Sequence, residues 1–93
     1  MFLFSLFKRK EKMSKFKIKF SLLVRNKNKA YSNNCFMQDV LGLCNTFGAK
    51  IKEYEYCEYF YEVTIRLLCK ESDLPYIIEE LTKVSSVISL AKL

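Results

Sequence analysis

The 93-residue sequence predicts an α+β fold in which two helices cover one face of a four-stranded antiparallel sheet, in the order β-α-β-β-α-β. Three observations predict it. Residues 15–25 alternate apolar and polar with a period of two, residues 35–47 repeat apolar side chains at helical spacing, and the same change of period returns between residues 51 and 91. The composition agrees: 51% of residues are apolar, with one Pro and two Gly, which excludes disordered and collagen-like chains. The length allows at most one domain.

The first strand runs from Lys15 to Arg25. Phe16, Ile18, Phe20, Leu22 and Val24 point one way, and Lys15, Lys17, Lys19, Ser21, Leu23 and Arg25 the other. All five on the first face are apolar and five of six on the second are polar, the pattern of a strand half buried on a core. The following run R-N-K-N-K-A-Y-S-N-N is a polar loop, and Asn33 or Asn34 is the expected N-cap of a helix. In that helix Phe36, Val40, Leu43, Cys44 and Phe47 fall within an arc of about 100°. Gly48 then suits the left-handed position that closes a helix.

Ile51 to Cys69 is rich in Tyr, Phe, Val, Ile and Thr and reads as a hairpin, with its turn near Cys57–Glu58. On its second strand Tyr61, Val63, Ile65 and Leu67 share one face; Phe60, Glu62, Thr64, Arg66 and Leu68 share the other. Ser72 or Asp73 caps the second helix, and Pro75 lies in its first turn, where a missing N–H costs nothing. Leu74, Ile77, Ile78, Leu81 and Val84 form its apolar stripe, and Val87–Ala91 is the last strand. The order is that of a ferredoxin-like βαββαβ sandwich.

The formal charge of +6 is unevenly spread. Residues 1–29 hold ten bases and one acid, whereas residues 30–93 hold six bases and nine acids. The chain divides into an arm, residues 1–14, and a domain, residues 15–93. The arm opens M-F-L-F-S-L-F and continues K-R-K-E-K, the reverse of the charge order in a secretory signal, and its apolar run is too short to span a bilayer. Two readings stay open. One is a tail, with Met13 as an alternative beginning. The other is a membrane-surface segment, with Phe2, Phe4 and Phe7 in the interface and Lys8, Arg9, Lys10 and Lys12 over anionic headgroups, each base worth about 1 kcal/mol there. The same segment also fits the last turn of a spanning helix whose remainder lies outside this chain.

Several chemistries are excluded by absence. There is no His and no Trp, and Gly42 and Gly48 are isolated, so no phosphate-cradling loop can be written. Cys35, Cys44, Cys57 and Cys69 lie 9, 13 and 12 residues apart with no C-x-x-C pair. They read as reduced and mostly buried thiols, with no metal, no cofactor and a cytoplasmic setting. Acid–base work would fall to carboxylates, Lys, Tyr or Cys, and the topology pairs none of them in a cleft, so no enzyme is expected.

Tyr54, Tyr56, Tyr59, Phe60 and Tyr61 interleave with Glu53, Glu55, Glu58 and Glu62. This cluster reads either as a hairpin edge charged against aggregation, or as a partner surface formed by Tyr54, Tyr56 and Tyr59. Single-stranded RNA binding would need aromatics on the open faces of the first and third strands. Those faces carry Lys17, Lys19 and Ser21, and Phe60, Glu62, Thr64 and Arg66: one aromatic, with Lys17 or Lys19 placed to pair with Glu62. Nucleic acid is therefore not the expected partner, and a small RNA-binding protein is kept as an alternative.

From about Phe16 to Leu93 the pattern resembles the ACT domain and its relatives. F-K-I-K-F-S-L-L-V is similar to their first strand, F-M-Q-D-V-L-G-L-C-N-T-F-G-A-K-I to their first helix and second strand, and I-I-E-E-L-T-K-V-S-S-V-I-S-L to their second helix and last strand. Within the group it looks most like the C-terminal cytoplasmic domain of MgtC/SapB-type membrane proteins, which follows a spanning region and a short basic linker. The resemblance implies a non-catalytic regulatory or interaction module, homo-oligomerising and membrane-proximal; a free-standing small-molecule-sensing ACT domain is the other alternative. ACT domains often bind an amino acid near the loop after the first strand, aided by a D-x-x-G-x-L-like segment. That loop here lacks both the Asp and the Gly, and Asn33 and Asn34, beside the helix N-terminus, are the ligand-binding candidates.

Overall fold

The computed structural model describes residues 12–24 and 29–93. Strand β1 spans Met13–Ser21, with Phe16, Ile18 and Phe20 buried on one side and Lys15 and Lys17 exposed on the other. It starts two residues earlier than expected and stops four earlier. Leu22 keeps the inward position, fully buried, and Leu23–Val24 turns aside to form a short antiparallel ladder with Lys29–Ala30. Tyr31 N–H donates to the Leu22 carbonyl at 2.7 Å and closes this excursion.

Helix α1 spans Asn33–Phe47 and buries Phe36, Val40 and Cys44. Its N-cap is Ser32, not Asn33 or Asn34: Ser32 keeps an extended backbone (φ −62°, ψ 130°) and its Oγ accepts from the Cys35 amide at 3.3 Å. Three consecutive cap-forming residues made the position ambiguous, and the chain enters the helix at the first of them. Gly48 closes α1 at φ 68°, as expected.

β2 (Lys50–Cys57) and β3 (Glu62–Lys70) form the hairpin, but the turn is Glu58–Tyr61, later than predicted. Phe60 N–H donates to the Cys57 carbonyl at 3.3 Å, and Tyr61 takes a left-handed φ of 55°. No Gly is available there, so a tyrosine carries a conformation that costs an L-residue about 1–2 kcal/mol. The Leu22 N–H, donating to the Tyr61 carbonyl at 2.8 Å, helps hold it. Phe60 and Tyr61, assigned to the second strand from sequence, thus belong to the turn.

α2 (Leu74–Leu81) follows with Pro75 in its first turn and with Ile77 and Leu81 buried. Asp73 occupies the N-cap position without a side-chain cap bond, while its carbonyl accepts from the Tyr76 and Ile77 amides at 3.1 Å. β4 (Ser86–Lys92) completes a four-stranded sheet of order β2-β3-β1-β4, all neighbours antiparallel. The chain has the ferredoxin-like βαββαβ architecture that the sequence predicts.

β1 and β3 pair without interruption from Met13↔Lys70 to Ser21↔Glu62. This register stacks Phe16, Ile18 and Phe20 beside Leu67, Ile65 and Val63, and the helices close over them. Phe20 meets Phe36 of α1 edge to face, with ring centroids 5.2 Å apart. Among the described residues the core contains no polar or charged side chain. Two cysteines, Cys44 and Cys69, belong to it; Cys35 and Cys57 are exposed, so the expectation of mostly buried thiols holds for only half of them. Cys35 lies on the outer start of α1 and Cys57 at the end of an edge strand.

Truncating Phe20 to Ala should cost about 3–5 kcal/mol in urea unfolding, the ordinary penalty for a buried ring. A loss below about 1 kcal/mol would contradict the core described. Gly48→Ala should cost about 1 kcal/mol from backbone strain alone, since an added Cβ would meet nothing within 4 Å.

Candidate functional site

The sheet leaves one face free of helices, and the register decides what stands on it. Directly paired residues share a face. The open side therefore carries Lys15 beside Leu68 and Lys50, then Lys17 beside Arg66 and Glu53, then Lys19 beside Thr64 and Glu55, and finally Ser21 beside Glu62 and Cys57. Two cross-strand ion pairs lie on it: Arg66 Nε to Glu53 Oε1 at 2.8 Å, and Lys19 Nζ to Glu62 Oε1 at 3.7 Å. The second is the lysine–Glu62 pairing that sequence reasoning offered. Phe60, the one aromatic assigned to this face, stands in the turn and lines a shallow hollow with Lys19, Glu55, Cys57 and Glu62. The strand positions of the open face hold no aromatic ring among the described residues.

The two groups of predicted residues on β2 and α1 meet. Tyr54 and Tyr56 pair with Ile65 and Val63 and so lean to the helix side, half-buried against the core. Tyr54 Oη donates to Asn33 Oδ1 at 2.7 Å, tying the start of α1 to the edge of the sheet. A ligand candidate and a partner-surface candidate are thus each other's partners. Asn34 is exposed beside them, and Tyr59 stands 85% exposed in the turn with Phe60 edge-on at 5.6 Å. Lys12 is exposed; Phe2, Phe4, Phe7, Lys8, Arg9 and Lys10 lie outside the described residues. No helix among the described residues is long and apolar enough to cross a membrane.

Shifted ionisations lead away from reactivity. Burial pushes the Cys69 thiol up to about 11 and raises that of Cys44. Burial likewise lifts the Tyr54 phenol to about 12. On the outer surface Tyr31 Oη donates to Asp39 Oδ2 at 2.8 Å, and this bond raises the Tyr31 phenol. Each of these groups is held in its neutral form, the poorer nucleophile and the poorer base. Among the described residues no His/Cys/Asp/Glu group of three could hold a metal.

Sequence reasoning missed the Arg66–Glu53 pair, the Tyr54–Asn33 bond and the pairing of Lys92 with Glu71, which also accepts from Ser14 Oγ at 3.2 Å. All depend on register. The alternating charges of residues 50–55 were the available signal, and a correctly placed turn would have aligned Glu53 with Arg66.

Native protein at mildly alkaline pH should react rapidly with a thiol reagent at Cys35 and Cys57 only; rapid modification of all four would contradict the burial of Cys44 and Cys69. Because the folded Cys69 and Tyr54 bind their protons more tightly than the unfolded chain, stability is fully present below about pH 9 and falls as pH rises through about 11 and 12. Thermal unfolding across that range should show the decline, and Tyr54→Phe should flatten its upper part.

No family model matches the chain, and no curated protein matches it. It is similar to a solved structure, the ACT domain from GTP pyrophosphokinase of Chlorobium tepidum, over 90% of this chain and 100% of that one. The TM-score is 0.47 and the identity 17%.

Proposed function

We propose that the chain is a non-catalytic, ACT-like regulatory or interaction module that self-associates and works beside a membrane in the cytoplasm, most like the C-terminal domain of MgtC/SapB-type proteins. The observation that carries the reading is the unequal treatment of the two sheet edges. The β2 edge displays Lys50, Lys52, Glu53 and Glu55, all exposed, with a bulge between Ile51 and Glu53. Charges and bulges of that kind discourage strand addition. β4 has one charged residue, Lys92, and that side chain is engaged with Glu71. Ile88 and Leu90 are 48% and 49% exposed, and Leu93 just beyond the strand is 54% exposed. Leu90 pairs with buried Ile18 and sits on the helix side, yet neither helix covers it. One bulge, between Val87 and Ser89, leaves Ser89–Lys92 as a regular stretch at the edge of the sheet, with no strand on its outer side among the described residues.

A second copy laid antiparallel on β4 would extend the sheet and cover both Leu90 side chains. The neutral, buried thiols and phenol support a module without covalent chemistry. The commitment of Asn33 to Tyr54 favours an interaction role over small-molecule sensing at the α1 N-terminus. Membrane proximity draws on the apolar-then-basic arm, which joins the domain at β1.

Sedimentation equilibrium should find a dimer at tens of micromolar. Leu90→Lys should shift it to monomer with an unchanged far-UV spectrum, whereas Glu55→Lys on the opposite edge should leave it dimeric. A wild-type chain that stays monomeric throughout this range would overturn the self-association.

A further inference from the structure

We propose that the β1-start half of the open sheet face is a docking surface for an anionic bilayer, formed by Lys15, Lys17, Lys50 and Lys70; the inference rests on the membrane-proximal reading. The register gathers these lysines from three strands. Lys15 and Lys50 flank Leu68 in one cross-strand row, Lys17 stands in the next row beside Arg66, and Lys70 lies opposite Met13 in the row beyond. Strands are about 4.8 Å apart, so the backbone positions of Lys15 and Lys50 are roughly 10 Å from each other. All four lysines are exposed, and none makes an ion pair among the described residues.

The face is polarised along its strands. Its β1-start half carries these four lysines and Arg66 against a single acid, Glu53, which Arg66 already holds at 2.8 Å. The hairpin half carries Lys19 against Glu55 and Glu62, and Lys19 is within 3.7 Å of Glu62. Unneutralised positive charge is therefore concentrated where β1 begins. The chain preceding β1 leaves from that same end, and its sequence is F-L-F-S-L-F followed by K-R-K-E-K. In the sequence, apolar residues that can enter an interface and a second set of bases thus come immediately before the lysine-bearing start of β1. A bilayer fits better than a single-stranded nucleic acid, which needs aromatic rings for its bases. The rows around Lys15, Lys17, Lys50 and Lys70 contain Met13, Leu68 and Ala91, and no ring.

The test is co-sedimentation of the full chain with phosphatidylcholine vesicles, with and without phosphatidylserine, at low and high salt. Wild type should bind only the phosphatidylserine vesicles and should be released by salt. Each near-surface base contributes roughly fivefold. The quadruple variant Lys15→Gln/Lys17→Gln/Lys50→Gln/Lys70→Gln should therefore lose on the order of 600-fold in partitioning while its far-UV spectrum is unchanged. Lys83→Gln, on the helix side, should bind as wild type does. Undiminished binding by the quadruple variant, with loss in Lys8→Gln/Arg9→Gln/Lys10→Gln, would overturn the surface and leave the membrane reading to the arm alone. No binding by wild type would overturn both. Tighter retention on single-stranded RNA than on vesicles, abolished in the quadruple variant, would overturn the bilayer as occupant.

Discussion

The uninterrupted pairing of β1 with β3 is the constraint on which the rest of the structure depends. Its nine residue pairs set side-chain parity for both central strands at once. With Ile18 opposite Ile65 and Phe20 opposite Val63, every inward position of β1 from Phe16 to Phe20 is apolar and every outward one from Lys15 to Lys19 is basic. A slip of one residue would send the lysines into the helix layer and the phenylalanines into water, so the register is strongly specified. The outer strands inherit it: Tyr54 reaches Asn33, and Glu53 reaches Arg66, because β2 is aligned on β3.

The same parity divides the molecule's surfaces by task. The core on the inward side is apolar and free of buried polar groups among the described residues, and it holds its two buried thiols and Tyr54 in their neutral forms. The proposed associations therefore draw on the exposed surfaces: the weakly charged β4 edge for self-association and the open face for a bilayer. An antiparallel β4 pair, related by a two-fold axis normal to the sheet, keeps both open faces on one side. Two basic half-faces would then address one bilayer together, and weak contacts made in pairs bind far more tightly than either alone. Edge and face are consistent parts of one reading, although each stands on its own observation.

Much of this was legible before the structure. β1 and β3 were, because each alternates through several residues with large apolar groups on one side. α1 was, because Phe36, Val40 and Cys44 recur at helical spacing and Gly48 ends the run. The hairpin turn was not. It contains neither Gly nor Asn nor Asp, and its left-handed position is occupied by Tyr61, so the usual chemical signature is missing. That displaced turn hid the β2 register, and with it the Tyr54–Asn33 bond and the gathering of Lys15, Lys17, Lys50 and Lys70. The N-cap was hidden differently: Ser32, Asn33 and Asn34 can all cap, and only the path from Tyr31 selects Ser32.

The most direct measurement of the central constraint is native-state amide hydrogen exchange, resolved by residue. The slowest amides should lie in Phe16–Phe20 and Val63–Leu67 and should exchange only through global unfolding, with β2, β4 and both helices opening at lower cost. Exchange in these two segments that is faster than in α1 or α2 would contradict the β1–β3 pairing as the element on which the fold rests.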